Sequence, residues 1–166
     1  METITGTVSR IIFRNEENCY TVFLFEADEK TISVTGTYFE ITEKEYLKIH
    51  GEYVKHSTYG TQFSTDHYES VFPENLATLS EYLGNGVIKG IGKVRAQNIV
   101  KKFGQETMDV LTNHPERLEE VSGIGKRSAL LISKRMKERT KTQIALLKLY
   151  NFGIGSAMAK NYIHLW

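Results

Sequence analysis

The chain has 166 residues, 40% hydrophobic and 25% charged, with a net charge of +1, the balance of an ordinary globular protein with room for one medium core or two small ones. Its acidic start, Met1-Glu2-Thr3, lacks the plan of a signal peptide, and no apolar run approaches the roughly 20 residues a membrane span needs, so a cytoplasmic protein with no membrane partner is expected. Cys19 is the single cysteine and the histidines at 50, 56, 67, 114 and 164 form no pair at ligand spacing, which excludes an internal disulfide and leaves no metal site to expect.

The first part of the chain reads as strands. Ile4, Gly6 and Val8 alternate with Thr3, Thr5, Thr7 and Ser9, the period of a half-buried strand, and Ile11-Ile12-Phe13 then shifts phase as a bulge or bend would. Tyr20 to Phe25 forms a second strand, Asp28-Glu29-Lys30 a polar turn, and Thr31 to Thr37 a third strand. A short helix is predicted around Glu43–Leu47, a fourth strand from Ile49 to Val54, a turn at Ser57–Gly60 and a long fifth strand from Gln62 to Phe72. Glycines 6, 36 and 51 fall inside strands, where a small barrel needs sharp bends. Five strands in about 70 residues fit an OB-type barrel, with an SH3-like barrel nearly as good a fit.

Beyond Pro73 the periodicity turns helical. Leu76, Leu79, Tyr82 and Leu83 share one face, and Val94–Phe103, Lys126–Arg139 and Gln143–Tyr150 have helical composition. Pro115 suits the first residue of a short helix. The fold class is thus α+β and multidomain: a five-stranded OB-like barrel over 1–73, then an all-α region over 74–166.

Within that second region Gly-Ile-Gly occurs at 90–92, 123–125 and 153–155. Four residues after each second glycine stands Ala96, Ala129 or Ala159; seven after, Ile99, Ile132 or Tyr162; eleven after, Phe103, Met136 or Trp166. Offsets of four, seven and eleven mark one face of a helix that begins at the second glycine, so the repeat describes tandem helix-hairpin-helix units. The central isoleucine pins each hairpin into the core, and alanine lets the paired helices approach closely. The helix after each hairpin opens with unpaired N–H groups and the positive end of its dipole, a natural seat for a phosphate.

Charge supports that use. Residues 1–73 hold 6 Lys/Arg and 12 Asp/Glu, a net of −6, and residues 74–166 hold 15 and 8, a net of +7. Lys93 and Arg95 follow the first hairpin and Lys126 and Arg127 the second. The expected DNA-contacting set is therefore Gly90, Ile91, Gly92, Lys93, Arg95, Gly123, Ile124, Gly125, Lys126 and Arg127, gripping the backbone without reading sequence. In the third copy Ser156 replaces the lysine and Asn151 the apolar residue seen at Ile88 and Val121, which marks it as a packing unit.

No catalytic centre is legible. A P-loop needs a glycine five positions before its Gly-Lys and Ser or Thr after it; those places hold Val87 and Val94 around the first pair, Glu120 and Arg127 around the second. The pairs Glu16-Glu17 and Glu119-Glu120 read as solvated residues, and nothing flanks the hairpins that would make a glycosylase.

In detail the sequence resembles the N-terminal region of the RecD/TraA family of ATP-dependent DNA helicases, in the long RecD-like form that works without RecB and RecC. The resemblance covers essentially the whole chain. In the barrel it rests on Gly6-Thr7-Val8, Asn18-Cys19-Tyr20-Thr21-Val22, and Gly51-Glu52-Tyr53-Val54-Lys55-His56 with Tyr59-Gly60-Thr61-Gln62-Phe63. In the helical part it rests on Tyr82-Leu83-Gly84, on Gly86 through Gly92, on Pro115-Glu116-Arg117-Leu118 leading to Val121 through Lys126, and on Tyr150 with Gly153-Ile154-Gly155. It departs at Cys19, where a glycine is expected.

The resemblance implies a barrel and hairpins placed ahead of two RecA-like motor domains in a 5′-to-3′ helicase, similar to the exodeoxyribonuclease V alpha chain, acting in DNA repair and recombination. ATP and Mg would belong to those motors, and no cofactor is expected in this chain. With no P-loop present and Trp166 falling on a predicted helix face, the chain is expected to be an accessory DNA-handling region of a larger enzyme. The expected partner is single-stranded or forked DNA, with the acidic barrel facing the motors or another protein; its aromatics are expected to be core and not base-stacking platforms. Two rival readings are a RuvA-like Holliday-junction binder, distinguished by a preference for four-way junctions, and a protein-interaction module, against which Lys93 and Lys126 argue.

Overall fold

The computed structural model describes residues 1–162. It divides into two compact units, one formed by Met1–Val71 with the residues from Thr142 onward, the other by Phe72–Lys141.

In the first unit five strands, β1 (Glu2–Arg14), β2 (Tyr20–Ala27), β3 (Lys30–Thr37), β4 (Tyr46–His56) and β5 (Gly60–Ser70), close into a barrel in the order β1-β2-β3-β5-β4. All pairings are antiparallel except the short parallel contact of β3 with β5 at Val34–Phe63 and Thr35–Ser64. This Greek-key closure decides between the two barrels in favour of the OB arrangement. The first half of β1 pairs with β4 and the second half with β2, the handover falling at Thr7. Gly6 lies beside it, where a Cβ would run into the Glu26 carbonyl. The phase shift at Ile11-Ile12-Phe13 is an irregularity in the β1–β2 register. Asp28 and Glu29 form the polar turn with φ of 49° and 62°, the left-handed pair a two-residue hairpin needs.

The barrel is filled by Val8, Phe23, Phe25, Val34, Tyr38, Leu47, Ile49, Phe63 and Tyr68. The rings of Phe23, Phe25 and Tyr38 meet edge to face, at centroid distances of 5.9 and 5.0 Å. These aromatics are core, as expected, whereas Phe13, Tyr20, Tyr53 and Tyr59 are exposed. Arg14 closes one end, its guanidinium donating to Thr21 Oγ1, Tyr38 O and Phe39 O at 2.6–2.9 Å.

The helix expected at Glu43–Leu47 does not form. Its residues make a tight turn with Lys44 at φ 75°, then enter β4. The backbone groups a helix would consume are taken by β1: Lys44 N–H donates to Val8 O at 2.7 Å, and Val8 N–H to Glu45 O at 2.8 Å.

In the second unit α1 (Leu76–Gly84) begins at Asn75, whose side chain accepts from the Thr78 N–H at 3.1 Å. It packs on α2 (Lys93–Phe103) through small residues: a Cβ on Gly84 would stand 3.2 Å from Lys93 Cα and 3.6 Å from Ala96 Cβ. Gly104 ends α2 and leads through a short 3-10 turn to α3 (Thr107–Asn113), a helix the sequence reading passed over although Val110 and Leu111 are buried at helical spacing from Thr107. Pro115 does begin a helical segment, of 3-10 type, over Pro115–Glu120. The segments expected at 126–139 and 143–150 are one helix, α4 (Lys126–Asn151), which supplies residues to both units.

The tail departs from the expected grouping of 74–166. Leu146 and Leu149 of α4, with Ala159 of the four-residue α5 (Ser156–Ala159), belong to the barrel's hydrophobic cluster. Tyr162, expected on the same helix face as Ala159, lies beyond the end of α5 and is exposed; Trp166, the next residue of that face, lies outside the described residues.

Candidate nucleic-acid interface

The first two Gly-Ile-Gly elements, both in the second unit, have one geometry. Gly90 and Gly123 have φ of 103° and 90°, values that favour glycine. Ile91 and Ile124 are buried, their N–H groups donating to Ile88 O and Val121 O, each at 3.1 Å. Helices α2 and α4 start immediately after Gly92 and Gly125, and the Ala96 and Ala129 N–H groups close the first helical bonds on those glycines' carbonyls at 2.9 Å each. Ala96, Ile99 and Phe103, and Ala129, Ile132 and Met136, are all buried, so the four-seven-eleven face is the packed one.

What precedes each helix is open. No side chain caps α2 at Gly92, and a Cβ on Gly92 or Gly125 would meet nothing within 4 Å. The first-turn N–H groups at both tips therefore face space, with the positive helix end behind them. Lys93, Lys126 and Arg127 are exposed and, among the described residues, form no ion pair or side-chain hydrogen bond. Glu120, close in sequence to the second hairpin, is paired with Arg117 at 3.0 Å. A depression of about 630 Å³ lies in front of the first tip, lined by Gly86, Lys89, Gly90, Gly92, Lys93 and Val94.

Arg95 differs from the other cations. It is half-buried, and its guanidinium donates through Nη1 to Gly90 O at 2.9 Å and through Nη2 to Ser128 Oγ at 3.3 Å. Asn98 Nδ2 reaches Ser122 O at 3.5 Å. The ten expected residues are thus gathered on two adjoining hairpins, joined by Ser128 and Asn98, which the sequence reading did not single out. Ser128 was findable: it stands three residues after Gly125, as Arg95 does after Gly92.

The third element lies in the first unit. Gly153 keeps the positive φ, at 79°, and Ala159 N–H donates to Gly155 O at 3.0 Å, but the Ile154 N–H goes to Leu149 O instead of Asn151. Its tip is covered: Ser156 is fully buried and donates through Oγ to Asp66 O at 3.0 Å.

Residues 1–73 match the family model described as the OB-fold domain of the ATP-dependent DNA helicase YrrC, and residues 86–138 match the model for the SAM-like helix-hairpin-helix tandem. The chain is an OB-fold domain followed by a helix-hairpin-helix tandem. Together the two matches support a helicase N-terminal region, and both kinds of domain point to nucleic-acid binding. The second match covers the two open hairpins and stops at 138, before the third.

The tandem's Gly-Lys pairs do not form P-loops. Each follows a buried isoleucine in a turn between helical segments, not the strand and glycine-rich loop that cradle phosphates in a P-loop. Among the described residues no group of His, Cys, Asp and Glu gathers to hold a metal, and no helix is long and apolar enough to cross a membrane.

Proposed function

We propose that this chain is the DNA-binding N-terminal region of a 5′-to-3′ DNA helicase of the long RecD-like form, acting in DNA repair and recombination. The observation that carries the reading is the pair of open helix tips at Gly92 and Gly125, each flanked by an unpaired lysine. On this reading, the first-turn N–H groups of α2 and α4 donate to phosphate oxygens at Gly90–Lys93 and Gly123–Arg127, with Lys93, Lys126 and Arg127 adding charge. Ile91 and Ile124 shape the turns from below. Such contacts hold the backbone of single-stranded or forked DNA and read no bases. ATP and Mg belong, on this reading, to motor domains outside the chain, and the acidic OB-fold domain faces those motors or another protein.

The test is titration of labelled single-stranded, forked and four-way-junction DNA at several salt concentrations. Affinity should fall as salt rises and show no sequence preference. The Lys93→Glu/Lys126→Glu double variant should lose most binding, with the salt slope reduced by about 1.4 to 1.8 for the two lost contacts, and keep the parent's circular dichroism. Binding of the double variant at the parent's affinity would sink the assignment, and a strong preference for four-way junctions would favour the Holliday-junction reading.

A further inference from the structure

The fork of Arg95 ends on two neutral oxygens of different hairpins: the Gly90 carbonyl of its own and the Ser128 hydroxyl of the next. Arg95 and Ser128 occupy the same place in the two copies, the third residue of each helix, so the bond joins like positions at the two helix tips. The hairpins also touch behind this bond, where a Cβ on Gly90 would stand 3.2 Å from Ile132 Cγ1. A planar guanidinium can serve both acceptors at once; a lysine ammonium, a point charge on a flexible stem, cannot hold the same two-point geometry.

We propose that Arg95 is a positioning residue: it locks the two helix tips at one separation, so that both hairpins engage DNA as a single clamp. The proposal rests on the DNA-binding reading for its consequence, while the lock itself is a property of the free protein. With the tips fixed, the second hairpin binds at high effective concentration once the first is engaged; with the tips loose, that gain is lost although every phosphate-facing group remains.

Two measurements on the whole chain test this. In a Cys19→Ser background, spin labels at the exposed positions Gln97→Cys and Leu130→Cys report the separation of α2 and α4 without DNA. The parent should give one narrow distance, and Arg95→Lys and Ser128→Ala should each broaden it; an unchanged distribution in both would overturn the proposal. In the DNA titration Arg95→Lys, which keeps its charge, should lose affinity roughly ten- to hundredfold. Ser128→Ala should also weaken binding, and the double variant should be no worse than Arg95→Lys alone. Parental affinity in Arg95→Lys, with loss confined to Arg95→Met, would instead make Arg95 a phosphate contact and overturn the positioning role. If the parent shows no salt-dependent DNA binding, the proposed function fails, and the label distances still decide the lock.

Discussion

Ser156 Oγ donates to the main-chain oxygen of Asp66 at 3.0 Å, and through this bond β5 of the OB-fold domain covers the tip of the third hairpin. The same carbonyl lies 2.9 Å from where a Cβ on Gly155 would stand, with the Asp66 carboxylate at 3.0 Å. At the corresponding glycines, 92 and 125, a Cβ would meet nothing within 4 Å. One sequence motif thus serves two ends. Where lysine follows the glycine the tip is open, and where serine follows it the tip is a seam inside a folded unit.

That contrast predicts an asymmetric response to methyl groups. Gly155→Ala should destabilise the first unit by about 1–3 kcal/mol, because the new carbon meets backbone that cannot step aside. Gly92→Ala and Gly125→Ala should cost less than about 1 kcal/mol, the difference between glycine and alanine ahead of a helix. Thermal unfolding of the three variants checks the order. Equal losses in all three would show that the third tip is no more tightly covered than the others.

The first glycines of the open hairpins should behave differently from the second. Gly90→Ala and Gly123→Ala force an L side chain to positive φ and should cost at least about 1–2 kcal/mol each. Gly90→Ala should be the worse, since its methyl also meets Ile132 Cγ1 at 3.2 Å while Gly123 has open space. Urea midpoints of the pair read this directly, and a Gly123→Ala variant as costly as Gly90→Ala would contradict the packing argument.

Cys19 holds the left-handed backbone, with φ at 63°, in the turn that joins β1 to β2. Its carbonyl accepts from Tyr38 N–H at 3.0 Å, so the conformation is held by β-barrel packing and not by the cysteine side chain. Cys19→Gly should therefore stabilise the protein by about 0.5–1 kcal/mol, relief of left-handed strain outweighing the extra freedom of glycine in the unfolded chain. A lowered melting temperature in that variant would show the turn to be unstrained.

Acid should weaken the OB-fold domain through His50. Burial holds its pKa below the ordinary histidine value, the adjoining His67 and Lys48 push the same way, and Glu69 opposes them. The His50 and His67 rings stack at 4.3 Å between centroids, so charge on both is unfavourable. Below the ordinary value near 6.5 the unfolded chain binds a proton that the folded one resists, and stability falls as pH drops through that window. Denaturation midpoints between about pH 8 and pH 5.5 should decline in the parent and decline less in His50→Gln. An equal slope in the two proteins would place the acid sensitivity elsewhere.

Much of this was legible in the residues because it depends on local periodicity. Alternation at Ile4, Gly6 and Val8 finds a strand, and the four-seven-eleven spacing after Gly92 and Gly125 finds the buried helix face, whatever those elements pack against. Glycine at 90 and 123 announces a backbone turn that few other residues adopt, and Lys93 and Lys126 announce charge beside it. Even the glycine expected at Cys19 was informative, since the backbone there has the conformation glycine favours.

Tertiary contacts decided the rest. The segment Glu43–Leu47 has the composition of a helix, yet its backbone bonds are claimed by Val8 in a strand distant in sequence. Arg95 and Lys93 look alike in a charge count; only the fold brings the Gly90 carbonyl and the Ser128 hydroxyl within reach of one and leaves the other bare. The third Gly-Ile-Gly repeats the sequence of the others, but Leu146, Leu149 and Ala159 bury against the barrel and carry the motif with them. Sequence by itself set which segments turn, coil or extend, because those choices are made within a few residues. Which turn stays open and which is covered was left to packing between segments far apart in the chain, where burial of apolar surface outweighs any local preference.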